Sequence, residues 1–273
     1  KLKIKKKIEF NNHHLCHLAS AYFPSGFQKA LVVSYDGLGE SESGAFAIGN
    51  KGKIKVLNYK NLYPNSLGLL YSAITFYLGW KPFCDEGIIM GLAPYGNSQA
   101  KIKGTNKTYY DLFKDIICLN KNNPLQYEIN KKWIAYHIKR DVWVSKEFIK
   151  IFGKPKKYSS KITKHHMNIA KALQDRLEYV VCKQLKYLKK IYKIENLCLA
   201  GGVALNCSLN GRIKKEKIFK NIFIQPASGD AGISYGSCLV STLKRKKLKT
   251  KRINNLFTGT RESERIIKKN LIK

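Results

Sequence analysis

No CxxC pair occurs in this sequence, and its seven cysteines (Cys16, Cys84, Cys118, Cys182, Cys198, Cys207 and Cys238) are odd in number and scattered. That argues against a disulfide framework and against a structural zinc knuckle. Most of these thiols sit in apolar segments and read as small core residues. No apolar run reaches the roughly 18 residues of a membrane span. The basic start, Lys1 to Lys7, is not followed by the apolar core of a signal peptide. A cytoplasmic chain is the expectation. Arginine is sparse, so lysine supplies nearly all of a formal net charge of +33. Arginine is the residue that reads phosphates and base edges bidentately. Its scarcity argues against specific nucleic-acid recognition and leaves weak nonspecific attraction. The abundance of Lys, Ile, Asn and Tyr fits codon bias from an AT-rich genome. No internal repeat is evident.

What is there is a chain of 273 residues, 44 % apolar. That is enough for a globular core in one large domain or two modest subdomains. Segment 11–23 opens with an Asn pair suited to capping and continues as helix. Residues 29–36, 44–50 and 53–59 read as three strands joined by glycine turns, an antiparallel meander. Helices are expected at about 66–79, in a short piece leading into the turn 90–96, and over about 162–193, where apolar residues recur at 3.6 spacing. Residues 97–160 are polar and lysine-rich and look like an insertion carrying its own helices. A buried strand at 196–202, a helix from within 203–213, a strand at 221–225 and a helix to about 243 complete the pattern. Residues 244–252 form a basic linker. Strands that end in acid or glycine turns and lead into helices make an α/β fold the expectation.

Four constellations carry chemistry. His13 and His17 are four apart, so a helix sets both imidazoles on one face, close enough to share a metal; His14 points away from them. The plain alternative is a polar helix start. Asp36-Gly37-Leu38-Gly39-Glu40 puts an acid at a strand end before glycines, where backbone N–H groups can approach a phosphate; it also reads as an ordinary hairpin turn. Gly201-Gly202-Val203-Ala204-Leu205-Asn206 lies between a buried strand and a helix start, a seat for phosphate or ribose. Asn206 and Asn210, four apart, face a ligand or are ordinary surface residues. Asp230, in Pro226 to Gly232, caps a helix or completes a two-histidine, one-carboxylate set suited to Fe(II) or a similar divalent ion. The turn Met90 to Gly96 has no catalytic chemistry and reads as a scaffold or substrate-facing loop.

These motifs occur in one order: HHLCHLASAYF, DGLGE, SLGLLYSAITFYLGW, MGLAPYG, GGVALNCSLN and PASGDAG. Together they resemble the consecutive signatures of NodU/CmcH-type O-carbamoyltransferases, over about residues 11–243 apart from 97–160. The resemblance implies an actin-like (ASKHA, ribonuclease H-like) α/β fold, related to the tRNA threonylcarbamoyl transferases. It implies that residues 1–243 are the catalytic module and that 244–273 lead toward a YrdC-like domain. That separate domain would make carbamoyl-adenylate from carbamoyl phosphate and ATP. The module would pass the carbamoyl group to a hydroxyl of a small-molecule or sugar acceptor.

By the same resemblance, His13, His17 and Asp230 hold a divalent metal, typically iron. Gly37, Gly39, Gly201, Gly202 and Asn206 form the nucleotide seat, and Asp36 is the phosphate-proximal acid and a candidate base. Ten residues precede the histidine helix, so the resemblance also implies a module cut at both ends, its partial fold completed by a separate chain or domain. The competing expectations are an actin-like sugar kinase or ATPase, a tRNA-modifying threonylcarbamoyl-type module, and an inactive fragment.

Overall fold

Alternation along one strand sorts the core into two layers. The computed structural model describes residues 8–256 and 262–272; Lys1 to Lys7 and part of the tail lie outside the described residues. The chain opens with helix α1 (His13–Ser25), then strands β1 (Lys29–Gly39), β2 (Glu42–Asn50) and β3 (Lys53–Leu62). β1 and β2 pair antiparallel, as do β2 and β3, which is the expected meander. Helices α2 (Leu67–Tyr77) and α3 (Glu86–Leu92) follow, then α4 (Tyr109–Ile116), β4 (Ile117–Leu119), β5 (Tyr127–Ile129) and α5 (Lys146–Phe152). The long helix α6 (Lys164–Tyr192) leads into β6 (Asn196–Ala200), α7 (Cys207–Lys215), β7 (Asn221–Ile224), α8 (Ile233–Leu243) and α9 (Glu264–Leu271).

The main sheet has the order β3-β2-β1-β6-β7, and β6 runs parallel to both β1 and β7. Successive side chains of a strand point to opposite faces. Ala30 and Val32 of β1 therefore join Ala45, Ala47, Cys198 and Ala200 under α1 and Val240 of α8. Leu31, Val33 and Tyr35 point the other way, into the larger cluster with Leu70 and Ile74 of α2 and Leu173, Leu177 and Val181 of α6. The first face is made almost wholly of small residues, which lets α1 lie close to the sheet. The result is a mixed α/β sandwich with helices on both faces, as the sequence order predicts.

The segment 97–160 carries α4, α5 and the β4–β5 pair, and its Tyr109, Leu112, Phe113, Phe148 and Phe152 join the larger core. The basic stretch after α8 runs back along α1: the N–H groups of Lys251 and Ile253 donate to the carbonyls of Phe23 and Pro24 (2.9 and 3.0 Å). Among the described residues, no helix is long and apolar enough to cross a membrane.

The start of α2 is tied to the end of β1 by one side chain. Ser66 Oγ accepts from Leu69 N–H at 3.0 Å, capping the helix, and turns its own proton toward the carbonyls of Asp36 and Gly37 (3.0 and 2.6 Å). Ser66 is fully buried. Ser66→Ala removes the cap and leaves buried carbonyls without their donor, so we expect a loss of about 1–2 kcal/mol in urea unfolding. An unchanged midpoint would show that the serine does not tie the two elements together.

Candidate functional site

Asn12 starts the histidine helix. Its Oδ1 accepts from Leu15 N–H at 2.9 Å, and its Nδ2 donates to Glu40 at 2.8 Å. The cap fixes the phase of α1, and with it the direction of each histidine. His14 points away from its neighbours, as its position predicts. It is buried, with Nδ1 at 3.1 Å from Ser34 Oγ and Nε2 at 2.9 Å from the Glu42 carbonyl. Burial pushes its pKa down, and the Glu42 carbonyl only partly offsets this. The ring is therefore neutral near pH 7: Nε2–H donates to the carbonyl and Nδ1 accepts the serine proton. His14 is a bolt between helix and sheet.

His13 and His17 face the other way, toward the ends of β1 and β7. His13 Nε2 lies 2.9 Å from Asp36 Oδ2, and His17 Nε2 lies 3.5 Å from the same oxygen. Asp230, in the short turn before α8, brings Oδ1 to 3.7 Å from His13 and 3.6 Å from His17. The four residues offer ligand atoms that all lie within 4.8 Å of one another. The sequence pattern expected the two histidines and Asp230 together. It did not place Asp36 among them, because Asp36 reads locally as the acid of a glycine turn. Its arrival depends on the pairing of β1 beneath α1, which no short-range spacing encodes.

The electrostatics follow from this geometry. The hydrogen bond to Asp36 raises the His13 pKa, against the opposing effect of burial, with the charges of Asp36, Asp230 and Glu40 adding to the rise. Burial works against ionisation of Asp36. The hydrogen bond from His13, the nearness of His17 and the Gly202 N–H, 2.7 Å from Oδ1, outweigh it, so the carboxyl is held well below the usual range.

His17 is the telling residue. It is 0 % exposed, and neither of its ring nitrogens makes a hydrogen bond among the described residues. Nε2 approaches two carboxylates, but both stand beyond ordinary hydrogen-bond length. A buried, unpartnered imidazole nitrogen is costly. When it converges with a second imidazole and two carboxylates, it has the donor set that divalent first-row ions take. The residues present thus fit a metal ion.

The glycine turns serve this cluster in two ways. A Cβ on Gly39 would lie 2.1 Å from His13 Cδ2, so the bare backbone is what lets the His13 ring sit over the end of β1. Gly39→Ala should displace that ring without touching a ligand atom. We expect it to weaken metal retention by about ten- to a hundredfold while the circular dichroism spectrum stays unchanged. Equal metal content in mutant and parent would remove Gly39 from the site. Gly37 and Gly202 line a cavity of about 690 Å³ that opens beside the cluster and reaches Asp36 and Asp230. Gly201, expected in the same seat, is not among the residues that line it; its N–H donates to the Ser228 carbonyl at 2.7 Å.

Asn206 also lines the cavity, but it is the N-cap of α7: Oδ1 accepts from Leu209 N–H at 2.9 Å. Asn210 does not share a ligand face with it; its Nδ2 donates to the Ala204 carbonyl at 2.8 Å. Met90, from the turn expected to be scaffold or substrate-facing, lines the cavity too. Tyr71 and Glu86 were not foreseen there; Glu86 Oε1 accepts from Ser72 Oγ and Phe83 N–H, both at 2.6 Å. Tyr71 lies within the stretch SLGLLYSAITFYLGW, but no local pattern around it or around Glu86 pointed to a cavity.

The family described as carbamoyltransferase N-terminus matches residues 1–239. The chain belongs to this family. Among curated proteins, it is 40 % identical over 240 residues to the uncharacterised protein sll1178 of Synechocystis, covering 88 % of this chain and 37 % of that protein. It is 37 % identical over 236 residues to nodulation protein NolNO of Sinorhizobium fredii, covering 86 % of this chain and 31 % of that one. This carbamoyltransferase-family chain thus spans well under half the length of either relative. Of solved structures, HypF of T. kodakarensis aligns with a TM-score of 0.42 at 17 % identity, over 85 % of this chain and 36 % of that one. A full-length HypF in the phosphate- and nucleotide-bound form aligns with a TM-score of 0.43 at 14 % identity, over 88 % of this chain and 44 % of that one.

Proposed function

We propose that this chain is the actin-like module of an O-carbamoyltransferase, moving a carbamoyl group from carbamoyl-adenylate to a hydroxyl of a small-molecule or sugar acceptor. One observation carries the reading. The buried, unpartnered His17 and its three companions stand at the edge of the same cavity that the Gly37 and Gly202 turns line. A meander followed by two parallel crossover strands, in the order β3-β2-β1-β6-β7, supports the actin-like assignment. Carbamoyl phosphate and ATP would be the donors, consumed by a YrdC-like domain or partner chain. The enzyme would work in the cytoplasm, with no membrane and no specific nucleic acid involved.

In this reading His13, His17, Asp36 and Asp230 hold a divalent ion, iron(II) by family resemblance. Once bound, such an ion supplies a positive charge that stabilises negative charge on a phosphate. The chain does the rest. Asp36 has one oxygen engaged by His13 and the other by Gly202 N–H, so it is fixed as a ligand rather than free to act as a base. The Gly37 and Gly202 turns give the adenylate phosphate a close approach to backbone. The acceptor oxygen attacks the carbamoyl carbon, a C–O bond forms, the bond to the phosphate oxygen breaks, and AMP leaves with the electron pair. The acceptor proton passes to a base in the cavity.

The test supplies labelled carbamoyl phosphate, ATP and a separately purified YrdC-like domain, and follows label into a panel of polyols and sugars. Transfer that requires this chain and disappears in His17→Ala supports the reading. Adenylate formation without any transfer to a hydroxyl would refute it.

A further inference from the structure

The histidine helix has a gap in its own hydrogen bonding, and a residue from the far end of the chain fills it. An α-helix ties each N–H to the carbonyl four residues back. Pro24 lies inside α1 and has no N–H, so the Ser20 carbonyl loses its intrahelical donor. Ser20 is 0 % exposed, and solvent does not supply another. Gln225, the residue after β7, does: its Nε2 donates to the Ser20 carbonyl at 2.5 Å. Ser20 Oγ in turn donates to the His17 carbonyl at 2.8 Å, so the filled gap lies about one helical turn beyond the buried histidine.

The other end of the same amide holds the turn that carries Asp230. Gln225 Oε1 accepts from Ala227 N–H at 3.3 Å, and the Gln225 backbone N–H donates to the Leu199 carbonyl of β6 at 3.0 Å. A carbonyl only accepts and a backbone N–H only donates, so the amide cannot turn over without losing both side-chain bonds. Gln225 is itself buried. Farther along the turn, Gly232 N–H donates to the Gly229 carbonyl at 3.0 Å. Asp230 stands in solvent, so burial does not hold its side chain. Its carboxylate reaches His13 and His17 at 3.7 and 3.6 Å because the turn that bears it is fixed.

We propose that Gln225 is a positioning residue for the metal cluster: it fills the gap that Pro24 leaves in α1 and so holds the Asp230 turn in register with His13 and His17. A proline that would otherwise be a defect in the helix becomes the socket for a lock. The inference rests on the reading of the four-residue cluster as a metal site.

The experiment loads the purified 273-residue chain with Fe(II) under anaerobic conditions and times its removal by a chelator that colours on binding iron. Gln225→Met should release iron about tenfold faster, the scale on which residues behind a ligand act. In an Asp230→Ala background the same change should add nothing, because the ligand that Gln225 positions is already gone. A merely structural glutamine would speed release equally in both backgrounds. Pro24→Ala, added to Gln225→Met, gives the Ser20 carbonyl back its intrahelical N–H. That pair should recover the unfolding midpoint yet release iron as fast as Gln225→Met alone, and it stands in if the single variant does not fold. Release at the parent rate in Gln225→Met, equal acceleration in both backgrounds, or slow release restored by Pro24→Ala would overturn the inference while the metal site stands. A parent that takes up no Fe(II) would instead overturn the metal reading, and the inference with it.

Discussion

His17→Ala should leave the protein folded and empty of metal. After anaerobic purification the parent should carry about one equivalent of a divalent ion by elemental analysis, and the variant less than about a tenth of that. The size of the effect follows from the position. His17 has no solvent to replace a lost ligand, and the alanine leaves His13 and two carboxylates around a void. His13→Ala and Asp36→Ala should behave alike. Asp230→Ala should lose less, because that side chain is 75 % exposed and water can take its place. A parent without metal after reconstitution with Fe(II), or a His17→Ala variant that keeps its full equivalent, would show that the cluster is a hydrogen-bonded ornament and not a metal site.

Gly201→Ala should cost the protein a large part of its stability. Gly201 has φ +85°, a conformation that residues with a Cβ adopt only under strain. A Cβ there would also lie 2.1 Å from the Tyr35 carbonyl oxygen, a backbone atom in the middle of the sheet that has nowhere to go. The two penalties add, and we expect a loss of roughly 3 kcal/mol or more in reversible denaturant unfolding. That is a large share of the stability of an ordinary domain. Gly211→Ala is the matched control, since nothing lies within 4 Å of its added methyl. If the two alanine variants unfold at the same midpoint, the Gly201 turn is not under the constraint described.

Much of the architecture was legible because it is written in short-range patterns. The run over residues 29–36 and the glycine turns after it predict the meander, and β1, β2 and β3 follow it to within a few residues. The long helix was visible in its 3.6 spacing and spans Lys164–Tyr192. His13 and His17 were legible for the same reason: four residues apart on a capped helix is a statement about direction. What could not be read is whatever depends on strands meeting across long separations. Asp36 joins the histidines because β1 passes beneath α1, and Gly202 reaches Asp36 because β6 pairs in parallel with β1.

The uneven burial of the four clustered side chains has a kinetic meaning. His17 and Asp36 are buried and His13 is half-buried, whereas Asp230 stands in solvent. The most open approach to the cluster runs past Asp230, which makes that residue a gatepost and the buried His17 the strongroom. Exchange of an ion should therefore be governed by how readily one carboxylate lets go, not by how tightly the histidines hold. Stripping by a chelator should speed up in Asp230→Ala far more than equilibrium affinity declines.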